Sequence, residues 1–342
     1  MRVLERKRAR GAAALGAAAL LAVGLVGCSS DGDSGSSAES GNASATRTFE
    51  AQNGSIEIPA DPQRIVSCGY ATLPLIQAGA NLAAVCEWSR ELDNMDEETL
   101  AAYEALPKVA PDGAVSELNY EAVTAADPDL IIMGVPARVQ EQVDVAKLES
   151  LAPVVFVGLT VPGEWRELGE QYADAANVSD SYGEFKDEYE ARAAEIADKY
   201  ADSLGGLKFA GVCGVCGTEP GEFSREYASS YTTNLFDDLG FDFYGEPTDP
   251  ADVHAEYLSV EQLPENLGEA EVIVYGVEAD GSLPPELEEL FASPLWQDLP
   301  AVKAGNLVAV KHSSAATYET ALLALDSIDA ELEKLPANQS QE

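Results

Sequence analysis

The chain has 342 residues, with 60 Asp and Glu against 20 Lys and Arg, for a formal net charge of −40. Beyond its first ten residues it has no basic cluster, which excludes nucleic acid and anionic lipid headgroups as partners of its surface. The length suits two domains rather than one.

The first ten residues carry Arg2, Arg6, Lys7, Arg8 and Arg10 against Glu5 alone, and residues 11–26 carry no charge. A basic start followed by a short apolar run is the pattern of a secretory signal peptide. The run falls short of the roughly 20 residues a membrane-spanning helix needs. It closes on Leu25-Val26-Gly27-Cys28, which resembles the lipobox of bacterial lipoproteins. That resemblance implies a signal peptide over 1–27, cleavage before Cys28, and a diacylglyceryl group on its thiol. The chain would then be lipid-anchored on the extracytoplasmic face of the cell membrane, since two acyl chains give the stable anchoring that one does not. The alternative is an ordinary secreted protein with a chance cysteine near its cleavage site. Residues 28–55 are read as the lipidated cysteine and a flexible linker. The stretch 29–48 has no aromatic or large aliphatic side chain to offset chain entropy.

From residue 56 onward, short β-branched runs alternate with helical stretches. Residues 64–68 read as a strand, 70–80 as a helix and 81–88 as a second strand. The segment 118–134 gives a helix and then the apolar strand Asp129-Leu130-Ile131-Ile132-Met133, and 147–158 a further helix and strand. Apolar strands separated by helices predict a parallel sheet covered on both faces. Residues 163–204 predict one long, charged bridging helix, weakest between Asn177 and Gly183. After Gly206 the alternation resumes, with strands at 207–215, 270–277 and 306–312 and helices at 229–240, 256–268, 284–300 and 317–335. The expected fold class is α/β: two Rossmann-like lobes with parallel sheets, 56–162 and 205–342, joined by a single long interdomain helix over 163–204.

Three stretches carry a family resemblance. Pro62-Gln63-Arg64-Ile65-Val66 opens the first lobe, and Leu118-Asn119-Tyr120-Glu121-Ala122-Val123 leads to Asp127-Pro128-Asp129-Leu130-Ile131-Ile132. Residues 294–310, beginning Pro294-Leu295-Trp296, form the third. Together, in this order and over about 56–335, they resemble the siderophore, haem and cobalamin group of ABC-transporter solute-binding proteins. The resemblance implies a ligand held between the lobes, delivery to an ABC-transporter permease, no catalysis and no cofactor. The partners it implies are that permease and a small-molecule iron chelate, with the receptor acting as a monomer.

Open parallel sheets bind ligands beyond the carboxyl ends of their strands, so residues after each strand are the candidates. In the first lobe these are Gly69, Tyr70, Trp88, Arg90 and Arg138. In the second they are Arg225, Tyr227, Tyr231, Tyr275, Lys311 and His312. Rings and guanidinium groups suit a ferric siderophore, whose rim offers apolar surface and oxygen acceptors. The competing reading of each is core packing or a solvated loop charge. Direct metal capture is disfavoured by having only His254 and His312. Haem needs one or two axial ligands, so haem and cobalamin stay as alternatives within the class. The acidic surface points to a neutral or cationic hydroxamate complex. For permease docking, the first-lobe helix at Ala71-Thr72-Leu73-Pro74 lacks the expected acid, and Asp237 and Asp238 are the second-lobe candidates.

Apart from Cys28 there are Cys68, Cys86, Cys213 and Cys216, an even number suited to an oxidising compartment. Cys68 and Cys86 end neighbouring predicted strands and can bridge. Cys213 and Cys216 would lie about 10 Å apart along a strand, too far for a disulfide. They bridge only if the chain turns at Gly214, a turn that Gly214 and Gly217 permit, and a tight loop bridge between them is the expectation. A Cys-x-x-Cys pair could also mark a thiol oxidoreductase, but no helix starts at this one.

Overall fold

The computed structural model describes residues 45–214, 216–248 and 254–336. The expected signal peptide, Cys28 and most of the tether lie outside them. Among the described residues no helix is long and apolar enough to cross a membrane.

The chain begins with an antiparallel hairpin, β1 (Thr46–Ala51) and β2 (Gly54–Pro59). Residues 46–55 are therefore strand and turn, which corrects the reading of 28–55 as flexible linker throughout. The alternation that buries Phe49 and Ile58 drives this pairing. The turn is pinned to the first lobe, where Gln52 N donates to Phe156 O at 2.9 Å and Asn53 Nδ2 to Val154 O at 2.9 Å.

The first lobe is a four-stranded parallel sheet in the order β4 (Leu82–Val85), β3 (Ile65–Gly69), β5 (Leu130–Gly134), β6 (Val154–Phe156). Every residue of β3, β5 and β6 is buried, as expected of parallel strands covered on both faces. Cys68 and Cys86 are bridged with their Cα atoms 4.7 Å apart.

The second lobe has five strands in the order β11 (Leu307–Val310), β10 (Val272–Gly276), β7 (Phe209–Val212), β8 (Glu222–Glu226), β9 (Ala255–Ser259). β8 runs antiparallel to both neighbours, so this sheet is mixed rather than parallel. The segment 256–268, expected to be helical, is β9 followed by a helical turn and the short helix Leu263–Leu267.

The bridge contains two helices, Trp165–Ala175 and Ser179–Leu204, broken where Asn177 takes φ +59°. The break has a packing cause. Leu168, Tyr172 and Ala175 of the shorter helix sit in the first-lobe core. In the longer helix Tyr182, Tyr189, Ala193, Ile196, Tyr200 and Leu204 form one helical face in the second-lobe core. That face packs against the C-terminal helix Tyr318–Leu332. Arg192 reinforces the pairing, contacting Asp326 at 3.0 Å and Asp329 at 2.8 Å.

Candidate functional site at the lobe interface

Two glycines at adjacent strand ends shape the first-lobe side of the cleft. Gly69 and Gly134 are paired across β3 and β5, and Gly69 adopts φ +69°. A Cβ on Gly69 would lie 2.4 Å from Gly134 O, so only glycine lets the chain turn there and lift Tyr70 above the sheet edge. Tyr70 N then donates to Gly134 O at 2.9 Å. The Tyr70 ring meets Trp88 edge-on, centroids 4.9 Å apart. Trp88 is fixed through its backbone N–H, which donates to Tyr103 Oη at 2.8 Å.

Arg90 follows on the helical turn Ser89–Asn94. Its Nη1 donates to Tyr70 Oη at 2.9 Å, and its guanidinium lies 5.0 Å from the ring centroid of Tyr231 in the second lobe. A cation over a ring at this distance is attractive, so the contact links the lobes. A second link joins His312 Nδ1 to Asn94 Oδ1 at 2.6 Å. With the amide oxygen accepting, Nδ1 carries the proton. Burial first, and then Lys311, hold the His312 pKa below its ordinary value, which keeps the ring neutral.

Between the lobes lies a cavity of about 450 Å³, lined by Arg90 and Arg138 from the first lobe and by Cys216, Tyr231, His254, Tyr257, Glu278 and Ser314 from the second. Behind this surface Gly163 N donates to Ser229 O at 2.9 Å, and Trp165 Nε1 donates to Asn234 Oδ1 at 3.0 Å. Asp237 and Asp238 are both exposed, and Arg166 pairs with Asp238, so that carboxylate is engaged within the chain.

The structure thus brings Arg90, Arg138 and Tyr231 together at the cavity, with Tyr70 and Trp88 packed behind Arg90. His312 lies at the interface as a bridge to Asn94. Arg225 and Tyr227, expected at the cleft, are instead 5% exposed each and belong to the lobe interior. Arg225 donates to Tyr244 O and, at 3.3 Å, to Asn266 Oδ1, and it lies between the rings of Tyr227 and Tyr244 at 5.0 and 4.9 Å. Tyr227 Oη donates to Glu256. The reason is β8 itself: Arg225 and Glu226 lie within a strand, not after one. Tyr275 stacks edge-on with Phe291 at 4.9 Å, and Lys311 N donates to Ser327 Oγ at 3.0 Å. Sequence reasoning missed Tyr257, Glu278, Ser314 and Asn94. Only Tyr257 carried a usable signal, the alternation in Ala255-Glu256-Tyr257-Leu258-Ser259.

Beside the cavity, the strand β7 ends at Val212 and the chain bends, bringing the Cα atoms of Cys213 and Cys216 within 5.7 Å in a disulfide. Tyr257 Oη donates to Cys216 O at 2.9 Å. Beneath lies Glu226, whose burial pushes its pKa up to about 7 while hydrogen bonds from Thr232 and Ser230 pull it back.

Two α/β lobes, a helical bridge and a polar cavity between strand ends define a ligand receptor. The periplasmic binding protein family model matches residues 66–313, more than half of the chain, and the chain belongs to that family. It is a solute-binding protein and not an enzyme. The probable siderophore-binding lipoprotein YfiY of Bacillus subtilis is 27% identical over 302 residues, covering 84% of this chain and 86% of that one. The iron(3+)-hydroxamate-binding protein YxeB of the same organism is 28% identical over 188 residues, covering 55% of this chain and 54% of that one. Among solved structures, the siderophore periplasmic binding protein from the fuscachelin gene cluster of Thermobifida fusca matches with TM-score 0.66 and 30% identity. The match covers 81% of this chain and 98% of that one.

Proposed function

We propose that this protein is the lipid-anchored, monomeric substrate-binding subunit of an ABC importer, capturing a ferric siderophore of hydroxamate type and delivering it to a membrane permease. The observation that carries the reading is the cavity in which Arg90 and Arg138 of one lobe face Tyr231 and Tyr257 of the other. Guanidinium groups donate to the oxygens of the chelate, and the rings pack on its ligand backbone. No bond is made or broken; the work is recognition and release. The names of the two Bacillus relatives support an iron chelate, and that of YxeB supports a hydroxamate. The net charge of −40 favours a neutral or cationic complex over a polyanionic one.

Trp88 reports on this site because its ring packs against Tyr70 beside Arg90, whereas Trp165 and Trp296, at 3% and 1% exposure, give a background that a Trp88→Phe control subtracts. Titration with a ferric trihydroxamate should quench Trp88 emission and saturate at one equivalent. Arg90→Ala should weaken binding by about 30-fold, the value of a charge-assisted hydrogen bond near 2 kcal/mol. Saturation by haemin or a cobalamin alone would move the ligand to those classes. No quenching by any of the three would overturn the receptor reading.

A further inference from the structure

The disulfide beside the cavity has a third member. One sulfur from each of Cys213 and Cys216 and a carboxylate oxygen of Glu226 all lie within 4.8 Å of one another. The register of the sheet accounts for this. Gly211 pairs with Glu226 and Val212 with Arg225, and Cys213 N donates to Ser224 O at 2.9 Å. Gly211, Cys213, Ser224 and Glu226 therefore share one face of the sheet. The missing side chain at Gly211 makes the space, since a Cβ there would lie 2.9 Å from the Glu226 Cβ.

Glu226 is 1% exposed and only half satisfied. Its Oε1 accepts from Ser230 Oγ at 3.0 Å and Thr232 N at 3.2 Å. Its Oε2 has no hydrogen-bond partner, and neither does Ser224 Oγ, the next position on the same face. A buried carboxylate oxygen without a partner is costly. A neutral disulfide offers it nothing.

We propose that Cys213, Cys216 and Glu226 form a redox-gated binding site for a thiophilic divalent cation of the zinc class. Reduction by a dithiol breaks the Cys213–Cys216 S–S bond. The two electrons and two protons come from the reductant, which becomes its own disulfide. The cation then displaces the thiol protons and is held by two thiolates and Glu226 Oε2, a donor set suited to a soft or borderline metal. Access comes from the interlobe cavity, which Cys216 lines. A disulfide oxidant returns the bridge by thiol–disulfide exchange, taking up the two electrons and becoming its own dithiol, and the cation is expelled. Cys68 and Cys86, bridged within an aliphatic core, have no such third donor among the described residues.

The test uses the purified full chain reduced with a phosphine under anaerobic conditions and titrated with Cd2+. One cadmium per chain, with a thiolate-to-cadmium absorption band, is expected after reduction and none before it. Glu226→Gln should weaken binding by about tenfold or more, the scale on which even outer-shell losses weaken a metal site. In C213S/C216S the band should vanish while the cooperative thermal transition of the fold persists. The proposal is overturned by no band in the reduced protein, by a band that survives C213S/C216S, or by Glu226→Gln binding as tightly as wild type.

Discussion

The two sheets of this protein reach burial by different means. In the first lobe β3, β5 and β6 are built from Ile, Val, Leu, Met, Phe, Cys and Gly, with Ser67 the one hydroxyl. In the second, β8 and β9 bring Ser224, Arg225, Glu226 and Glu256 inside, each at 6% exposure or less. Arg225 is held by Tyr244, Asn266 and two rings, Glu256 accepts from Tyr227 Oη and Thr248 N, and Glu226 by Ser230 and Thr232. The first design rests on apolar area and tolerates shape-preserving exchange. The second rests on partners, and losing one strands another.

Substitutions can break this contrast. Ile132→Ala, in a central strand of the first lobe, should cost about 4 kcal/mol, measured by equilibrium urea unfolding at any pH between 5 and 8. Arg225→Ala should cost about 3 kcal/mol, because it leaves Tyr244 O and Asn266 without their charged donor. A loss under 1 kcal/mol would show that the second lobe does not depend on its buried polar groups.

Acidity sharpens the comparison. Glu226 titrates near 7 in the fold against 4.5 when unfolded. Its folded value is the higher one, so its contribution is complete below pH 4.5 and lost as pH rises towards 7, by about 3 kcal/mol in all. Glu226→Gln should therefore gain on wild type by that amount between pH 4 and pH 8, and parallel curves for the two proteins would refute the assignment. The smallest difference lies in the bridges. By loop-closure entropy Cys68–Cys86, spanning 18 residues, contributes about 3 kcal/mol and Cys213–Cys216, spanning 3, about 2 kcal/mol. Paired Cys→Ala variants should unfold about 1 kcal/mol apart, the first-lobe pair suffering more.

The same contrast explains what could be read from the chain alone. Leu130-Ile131-Ile132-Met133 declares a buried strand by composition, and with β3 it carries the first lobe and the α/β class. Glu222-Phe223-Ser224-Arg225-Glu226 does not, since its burial depends on hydroxyls and rings that are distant in sequence. The antiparallel strand was therefore missed, and Arg225 and Tyr227 were assigned to the cleft instead of the interior. The rule that sites follow strand ends locates Arg90, Arg138 and Tyr231, because it needs only the strand's last residue. Tyr257 escaped it by sitting in a strand read as helix. The break at Asn177 was foreshadowed by weak helix formers, but its cause, two faces claimed by two cores, is visible only in three dimensions.

The contact of Arg90 with Tyr231 makes the cleft self-competing. Any solute that engages this guanidinium from within the cavity must outbid a tyrosine face already seated 5.0 Å away. Under the proposed function, a bulky chelate would replace both the ring and the Tyr70 acceptor at once. Under that function the threshold for entry would be set by a residue pair that belongs to the protein alone.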